Sequence, residues 1–353
     1  MPDCYAATEL RQFSSALFQR VGLPEERADV MADVFLQADL LGFTTHGMNR
    51  VASNLEWLQS GDSRLAGEPQ VLSDLGNCFN WDAQFLPGPW VMTRAIEMAL
   101  QRVSGLGVVT ATIRRSQHIA CLAAYLPQIA EAGYVAILTC STPSENTVSP
   151  QGGHDPLFSA NPLAFVAPAG EYPLLFDISM SVTAGAYVAR AKRENKKMPS
   201  ACLKDCNGKL SDDPQDFENG GSILPVGGVD HGYKGAALSA MLEVLSMALG
   251  GYGRGDESAT HDNEANSVFL QVIDPQSFGP RANFLRQTIA LCNLWEQNRS
   301  DDASAVRVPG RRAWAMREQQ LRDGVKLYPS IMQDLQPWAE KLQVIPPSAI
   351  LKN

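Results

Sequence analysis

Hydrophobic positions recur every three to four residues through the first sixty residues, so the chain opens on helices. Leu10, Phe13, Leu17 and Val21 form one apolar face, Pro24 starts a second helix, and Val30, Val34, Phe35, Ala38 and Leu41 carry that helix to Gly42. A third helix follows, with Thr44 or Thr45 placed to cap it and Met48, Val51, Leu55 and Leu58 leading to a stop at Gly61. From Ser63 to Pro87 the periodicity fades. A helix over about residues 90–103 then leads into a β-branched strand at 108–113. Ser116 is placed to cap the next helix, which carries Leu122, Tyr125, Leu126, Ile129 and Ala132, and a second strand at 134–139 completes a strand-helix-strand unit.

Residues 140–162 are rich in Ser, Thr, Pro, Gly and Asn and read as a loop at a strand's carboxyl end, where ligands are commonly held. Two further strands are expected at 163–166 and 174–177, then a long helix whose far end, residues 190–197, is basic. Cations suit the negative end of a helix, so that cluster reads as a solvated terminus. Residues 204–221 are a surface excursion. The Gly-rich stretch 227–235, with Lys234, opens an apolar helix through Leu238, Met241, Leu242, Leu245 and Leu249. Backbone N–H groups, dipole and ammonium converge there in a way that suits an anion, although P-loop spacing is lacking. Residues 250–265 read as mobile, 266–273 as a strand, and 283–299 as helix.

At 353 residues the chain exceeds one compact core, so two or three domains are expected. With 45% apolar and 19% charged residues it is globular, and a net charge of −9 argues against a nucleic-acid or anionic-membrane surface. A small anionic substrate would need a local positive pocket. The seven cysteines are scattered and read as reduced thiols; Cys202 and Cys206 lack the partners of a zinc set, so no metal is expected. With no leader pattern and no apolar run of membrane-spanning length, the reading is cytoplasmic.

The stretch from Asp39 to Arg50 carries the candidate chemistry. His46 falls in the first turn of the third helix and Arg50 lies four residues on, so an acid/base group and an anion clamp share one direction. His154 and His261 lie in polar loops and read as solvated; His231 stands beside Lys234. The six tryptophans, Trp57 among them, read as core or interface residues. Arg114 and Arg115 suit either a 2′-phosphate contact or a solvated pair. There is no GxGxxG between a strand and a helix, no GxSxG and no HExxH.

Seven short segments, in this order, resemble the malate/L-lactate dehydrogenase family of the non-Rossmann type, which includes ureidoglycolate, sulfolactate and 2,3-diketogulonate dehydrogenases and the Δ1-piperideine-2-carboxylate reductases. They are Ala-Asp-Leu-Leu-Gly-Phe-Thr-Thr-His-Gly (38–47), Ser-Gln-His-Ile-Ala (116–120), Ala-Asn-Pro-Leu-Ala-Phe (160–165), Phe-Asp-Ile-Ser (176–179), Gly-Tyr-Lys-Gly (232–235), Val-Ile-Asp-Pro (272–275) and Val-Arg-Val-Pro-Gly (306–310). The resemblance implies an α+β fold: a non-Rossmann NAD(P)-binding mixed β-sheet domain over residues 76–279, and a helical substrate and dimerisation domain formed by 1–75 and 280–353. It implies a homodimer that uses NAD or NADP and acts on a small 2-oxoacid or 2-hydroxy acid.

By motif, His46 corresponds to the family's proton donor, with Thr45 before it where the family has Ser, and Arg50 to the carboxylate ligand. His118 matches an acid/base residue in some members and a cofactor contact in others. Cofactor contacts fall on His118, Ile119, Ala120, Cys121 and Leu122, on Asp177, Ile178 and Ser179, on Gly185 and Ala186, on Lys234 and Gly235, and on Arg307, Pro309, Gly310 and Arg311. Two substrate positions depart from the pattern: Tyr187 stands where imine-reducing members carry Asp and many others Lys, and Ala160 replaces the Thr of Thr-Asn-Pro. The leading expectation is interconversion of a 2-hydroxy acid and a 2-oxoacid by hydride transfer. Alternatives are a cyclic imine reductase and a cofactor-binding member without turnover.

Overall fold

The computed structural model describes residues 3–300 and 306–350, the side chains of 260 and 261 excepted. The chain starts with a short strand, β1 (Asp3–Tyr5), and three helices, α1 (Ala7–Arg20), α2 (Glu25–Leu40) and α3 (Val51–Ser60). Their buried faces are those the apolar spacing marks out, with the Phe18 and Phe35 rings stacked at 6.0 Å between α1 and α2. Gly61, at φ 88°, ends α3.

The faded stretch that follows contains a hairpin, β2 (Gln70–Asp74) and β3 (Cys78–Asp82). Every residue of β2 is exposed, so no hydrophobic alternation marks it. Next come α4 (Gly88–Leu106), β4 (Val108–Ser116), α5 (Leu126–Glu131) and β5 (Val135–Ser141). Ser116 is the last residue of β4 and donates to the carbonyl of Gln117, so it caps no helix. Then follow β6 (Leu163–Ala167), β7 (Leu174–Ile178) and α6 (Gly185–Arg193), which is shorter than expected but basic in its last turn.

The surface excursion folds as β8 (Leu203–Lys204), β9 (Leu210–Ser211), α7 (Pro214–Glu218) and β10 (Ser222–Ile223), a small sheet of its own. Helix α8 (Gly228–Glu243) passes into a π turn at Val244–Ala248. The segment read as mobile is tied in place: Arg254 grips both carboxylate oxygens of Glu243 at 2.8 Å, and the Tyr252 hydroxyl reaches Asp262 at 3.1 Å. Strand β11 (Asn266–Ile273), α9 (Arg281–Glu296), α10 (Arg311–Asp323), β12 (Val325–Leu327) and α11 (Pro329–Leu342) complete the chain.

The main sheet has seven strands in the order β2-β3-β4-β11-β5-β6-β7, all neighbours antiparallel except the pair β3 and β4. Strand β11, with Val268, Leu270 and Val272 fully buried, lies between β4 and β5 and separates the two strands of the expected strand-helix-strand unit. The architecture is α+β with a mixed sheet. The sheet begins at Gln70, ahead of the boundary expected at 75/76, and α9 is bonded to the sheet side through Thr288 to the Pro168 carbonyl at 2.8 Å. The helices return to the first layer at α10, where Gln320 donates to the carbonyls of Asp39 and Leu40. One buried cluster runs from Leu10 and Phe35 through Ile96, Ile113 and Leu138 to Leu335, so helical layer and sheet share a continuous core. Among the described residues no helix is long and apolar enough to cross a membrane.

Candidate active site

The segments after α2, β4, β5 and β7 converge on a cleft of about 870 Å³. That size suits a small molecule or cofactor, whose sites span about 300–1,000 Å³. Thr45, His46 and Arg50 form one wall, His118 and Ala120 to Leu122 a second, Thr142, Glu145 and 159–162 a third, and Asp177 to Ser179 with Ser181 to Ala186 a fourth. The loop of residues 140–162 thus does border the cleft. Glu264, in the turn before β11, and Asn266, the first residue of β11, close it.

His46 is not in a helix. It sits in the turn ahead of a short 3-10 segment (Met48–Arg50), where Gly47 precedes the first turn and no side chain caps it. The turn is held from below by Asp39, a buried acid whose Oδ2 accepts the Met48 backbone N–H at 2.6 Å. Gly47 lies so close to that carboxyl that a Cβ there would come within 2.3 Å of Oδ2, so only glycine fits. Thr45 caps no helix; its Oγ1 pairs with His46 Nδ1 at 2.8 Å and orients the ring.

His118 stacks on His46 with ring centroids 5.7 Å apart and planes 13° from parallel. Its Nδ1 accepts the Ala120 N–H at 3.1 Å, which fixes the proton of the neutral ring on Nε2. Ala120 reaches this geometry at φ 62°. Asn266 clasps the loop by accepting the Ile119 N–H at 2.9 Å and donating to Thr142 at 2.9 Å. Gly88, at the start of α4, abuts the same loop: a Cβ would stand 2.1 Å from the Gln117 carbonyl oxygen.

Both imidazoles are held neutral. Burial, and then the Arg50 cation, lower His46 to about 4, and burial with Arg50 and His46 depresses His118 well below the usual histidine range. The Arg50 guanidinium lies 5.4 Å over the Trp57 ring and pairs with Glu264. Its Nε is buried and has no hydrogen-bond partner among the described residues, a donor available to an incoming anion.

On the opposite wall Asp177 accepts the Ala123 N–H at 2.9 Å, and burial raises its carboxyl to about 6. Ile178 and Val182 expose apolar surface into the cleft, 50% and 40% respectively, beside the start of α6. That helix begins at Gly185 with no side-chain cap, no acid in its first turn, and open space where a Cβ would stand. Unpaired N–H groups and a positive dipole end next to an apolar shelf fit a pyrophosphate and a flat heteroaromatic ring. The residues present therefore fit a nicotinamide dinucleotide.

Several anticipated residues lie elsewhere. Ile119 is fully buried behind the cleft. Tyr187 is not a lining residue: it is 37% exposed and packs its ring on Arg190. Lys234 is exposed over the Tyr233 ring, and Gly235 is buried against Val226; only Val226 and Gly227 of that segment border the cleft. Pro309 accepts the Leu175 N–H at 3.3 Å and Gly310 packs on the Leu175 backbone, so this segment supports β7 from behind. Arg311 bonds Glu296 and the Tyr172 carbonyl, and Arg307 is exposed outside the cleft lining. Arg114 and Arg115 lie outside the cleft lining; both are half-buried and bind the fully buried Asp82. His154 and His231 are exposed and outside the lining, while the His261 side chain lies outside the described residues.

The sequence reading missed Asp39, Glu145, Glu264, Asn266 and the backing role of Trp57. Asp39 had a local signal, an acid between Ala38 and Leu40 on a buried helix. Trp57 had one too, seven residues after Arg50 and so on the same helical face.

A sequence model of the malate/L-lactate dehydrogenase family matches residues 5–336, nearly the whole chain. The chain belongs to that family. A Delta(1)-pyrroline-2-carboxylate/Delta(1)-piperideine-2-carboxylate reductase of Pseudomonas putida is 34% identical over 245 residues, 69% of this chain and 70% of that protein. A (2R)-3-sulfolactate dehydrogenase (NADP(+)) of Chromohalobacter salexigens is 29% identical over 94% of this chain and 96% of that protein. The structure of malate dehydrogenase from Pyrococcus horikoshii OT3 superposes with a TM-score of 0.87, covering 97% and 96% of the two chains at 24% identity, a likeness of fold. As a malate/L-lactate dehydrogenase family member the protein is an oxidoreductase, and its mostly antiparallel sheet, with no doubly wound parallel unit, accounts for the absence of a Rossmann glycine fingerprint.

Proposed function

We propose that this family member interconverts a 2-hydroxy acid and a 2-oxoacid with NAD or NADP, His46 serving as proton donor and acceptor and Arg50 as the carboxylate clamp. The observation that carries the reading is the meeting of His46, His118 and the buried, unpaired Arg50 Nε in one cleft with the uncapped start of α6. The nicotinamide, when bound, supplies the hydride to the carbonyl carbon or takes it back. His118, Ala120 to Leu122, Asp177 to Ser179, Gly185 and Ala186 would hold the dinucleotide.

Arg50 grips the substrate carboxylate and turns the carbonyl oxygen toward His46. As the carbonyl carbon gains hydride its π pair moves to oxygen, and His46 delivers the proton that makes the hydroxyl; in oxidation the neutral ring takes that proton. Substrate binding helps the donor, because an anion on Arg50 offsets the cation that depresses the His46 pKa. Thr45 holds the ring in place throughout. Ala160 lines the cleft with a methyl group, which suits a substrate without a hydroxyl contact there. Val229, Tyr233, Met241 and Val244 leave an apolar row exposed along α8 and its π turn, suited to burial against a second copy in a homodimer.

Cyclic imine reduction is the second reading, favoured by the 34% identity to the Pseudomonas putida reductase. Assays of 2-oxoacids and cyclic imines with NADH and NADPH, in wild type and His46→Gln, separate the readings. Turnover of 2-oxoacids that collapses in the variant supports the proposal. Turnover of imines alone favours the second reading, and binding of cofactor without turnover on any substrate would refute both.

A further inference from the structure

Arg50 is the one cationic residue lining the cleft among the described residues, and Glu145, Asp177 and Glu264 line it with carboxyl groups. Arg50 is already matched: its guanidinium pairs with Glu264, which reaches it from the turn before β11. A substrate carboxylate that grips Arg50 through its free Nε competes with Glu264 for the guanidinium, and whether Glu264 stays or is pushed aside its charge remains in the cleft beside Glu145. Arg254, the other cation whose charge Glu145 feels, offsets it only in small part, since it is committed to both oxygens of Glu243 at 2.8 Å and to Asn146 at 2.6 Å. Burial, and then the Glu264 charge, already hold the Glu145 carboxyl above the usual range. Ala160 and Val182 add only apolar surface.

We infer that Glu145 and Glu264 are specificity determinants, and that the cleft takes a monocarboxylate whose far end bears no second negative charge. Two carboxylates with no spare cation repel an anionic substituent and accept a neutral or cationic one. The chain's own charge arrangement thus argues against dicarboxylic and sulfonated acids, the kinds of substrate that some relatives are named for. The inference rests on the proposed reaction, with Arg50 as the clamp.

The test compares two acids of matched size, 4-methyl-2-oxopentanoate and 2-oxobutanedioate, in wild type, Glu145→Gln and Glu264→Gln. Wild type is expected to favour the monoanion by about tenfold or more in kcat/KM. Each glutamine should narrow that ratio by at least about threefold, a change that a merely structural role would not produce because it would scale both acids alike. Calorimetric binding of the same pair with oxidised cofactor reads the selectivity independently of turnover. No turnover of either acid, with the binding preference intact, would overturn the proposed reaction and leave the charge selection standing. Equal or better binding and turnover of the dianion, or ratios unmoved in both variants, would overturn the inference.

Discussion

Replacing Asp39 by asparagine removes one titration from the base of the site while keeping its shape. The carboxyl is 1% exposed, and burial raises it to about 8 from 3.8, against the smaller lowering by the Met48 N–H. A group that binds its proton more tightly in the folded chain than in the unfolded one costs stability as pH rises between the two values. The slope in that window is about 1.4 kcal/mol per pH unit, so by pH 7 this single group costs roughly 4 kcal/mol relative to strong acid. Asparagine carries no such term, and its amide oxygen can still accept from Met48. The stability of Asp39→Asn relative to wild type should therefore rise by roughly 2–3 kcal/mol between about pH 5 and pH 7. Urea unfolding followed by tryptophan fluorescence at both pH values reads this difference, and every other titrating group cancels in it. Parallel stability profiles would refute the reasoning. Asp39→Ala should share that pH-dependent gain but lose in addition, at every pH, about 1–3 kcal/mol by leaving the Met48 N–H unpaired, and it should lower kcat as the His46 turn loosens.

Arg50→Met should raise KM for the 2-oxoacid about 10- to 100-fold, and, with the cation gone, move the His46 limb of the pH profile to higher pH. Since reduction consumes the protonated ring, kcat/KM for the oxoacid should fall as pH rises through that limb while oxidation of the hydroxy acid gains; a limb that stays put in the variant would contradict the assignment. His46→Gln should lower kcat by about 10²- to 10⁴-fold with cofactor affinity, measured by fluorescence titration, unchanged. Gly88→Ala should destabilise by about 1–3 kcal/mol in thermal or urea unfolding and reduce activity, because its Cβ meets the Gln117 and His118 carbonyls; a neutral effect would show that the loop yields freely.

Much of the helical layer was legible because burial there follows the spacing of Leu10, Phe13, Leu17 and Phe35. The His46 and Arg50 pair was legible because it falls in the break between two helices, one stopped by Gly42 and the next by Gly61. Strand β2 was not, since a strand exposed on both faces has no apolar alternation to read. The Asp82 pairing with Arg114 and Arg115 comes from the parallel register that sets Asp82 opposite Arg114, a contact across more than thirty residues with no local signal. Glu264 meets Arg50 from 214 residues away, so the charge of the clamp's partner emerges only once β11 is placed in the sheet. Residues 307–311 are a different case: the segment shared with the family lies outside the cleft lining and gives backbone support to β7.

In the proposed reaction Arg50 and His46 act together on one substrate. A crystal structure of the protein with reduced cofactor and the unreactive 2-oxoacid analogue oxamate tests this most directly. The predicted result is the oxamate carboxylate on the Arg50 guanidinium in place of Glu264, with the His46 imidazole within hydrogen-bond reach of the amide oxygen. Oxamate bound away from Arg50, or an unbroken Arg50–Glu264 pair with the imidazole out of reach, would contradict it.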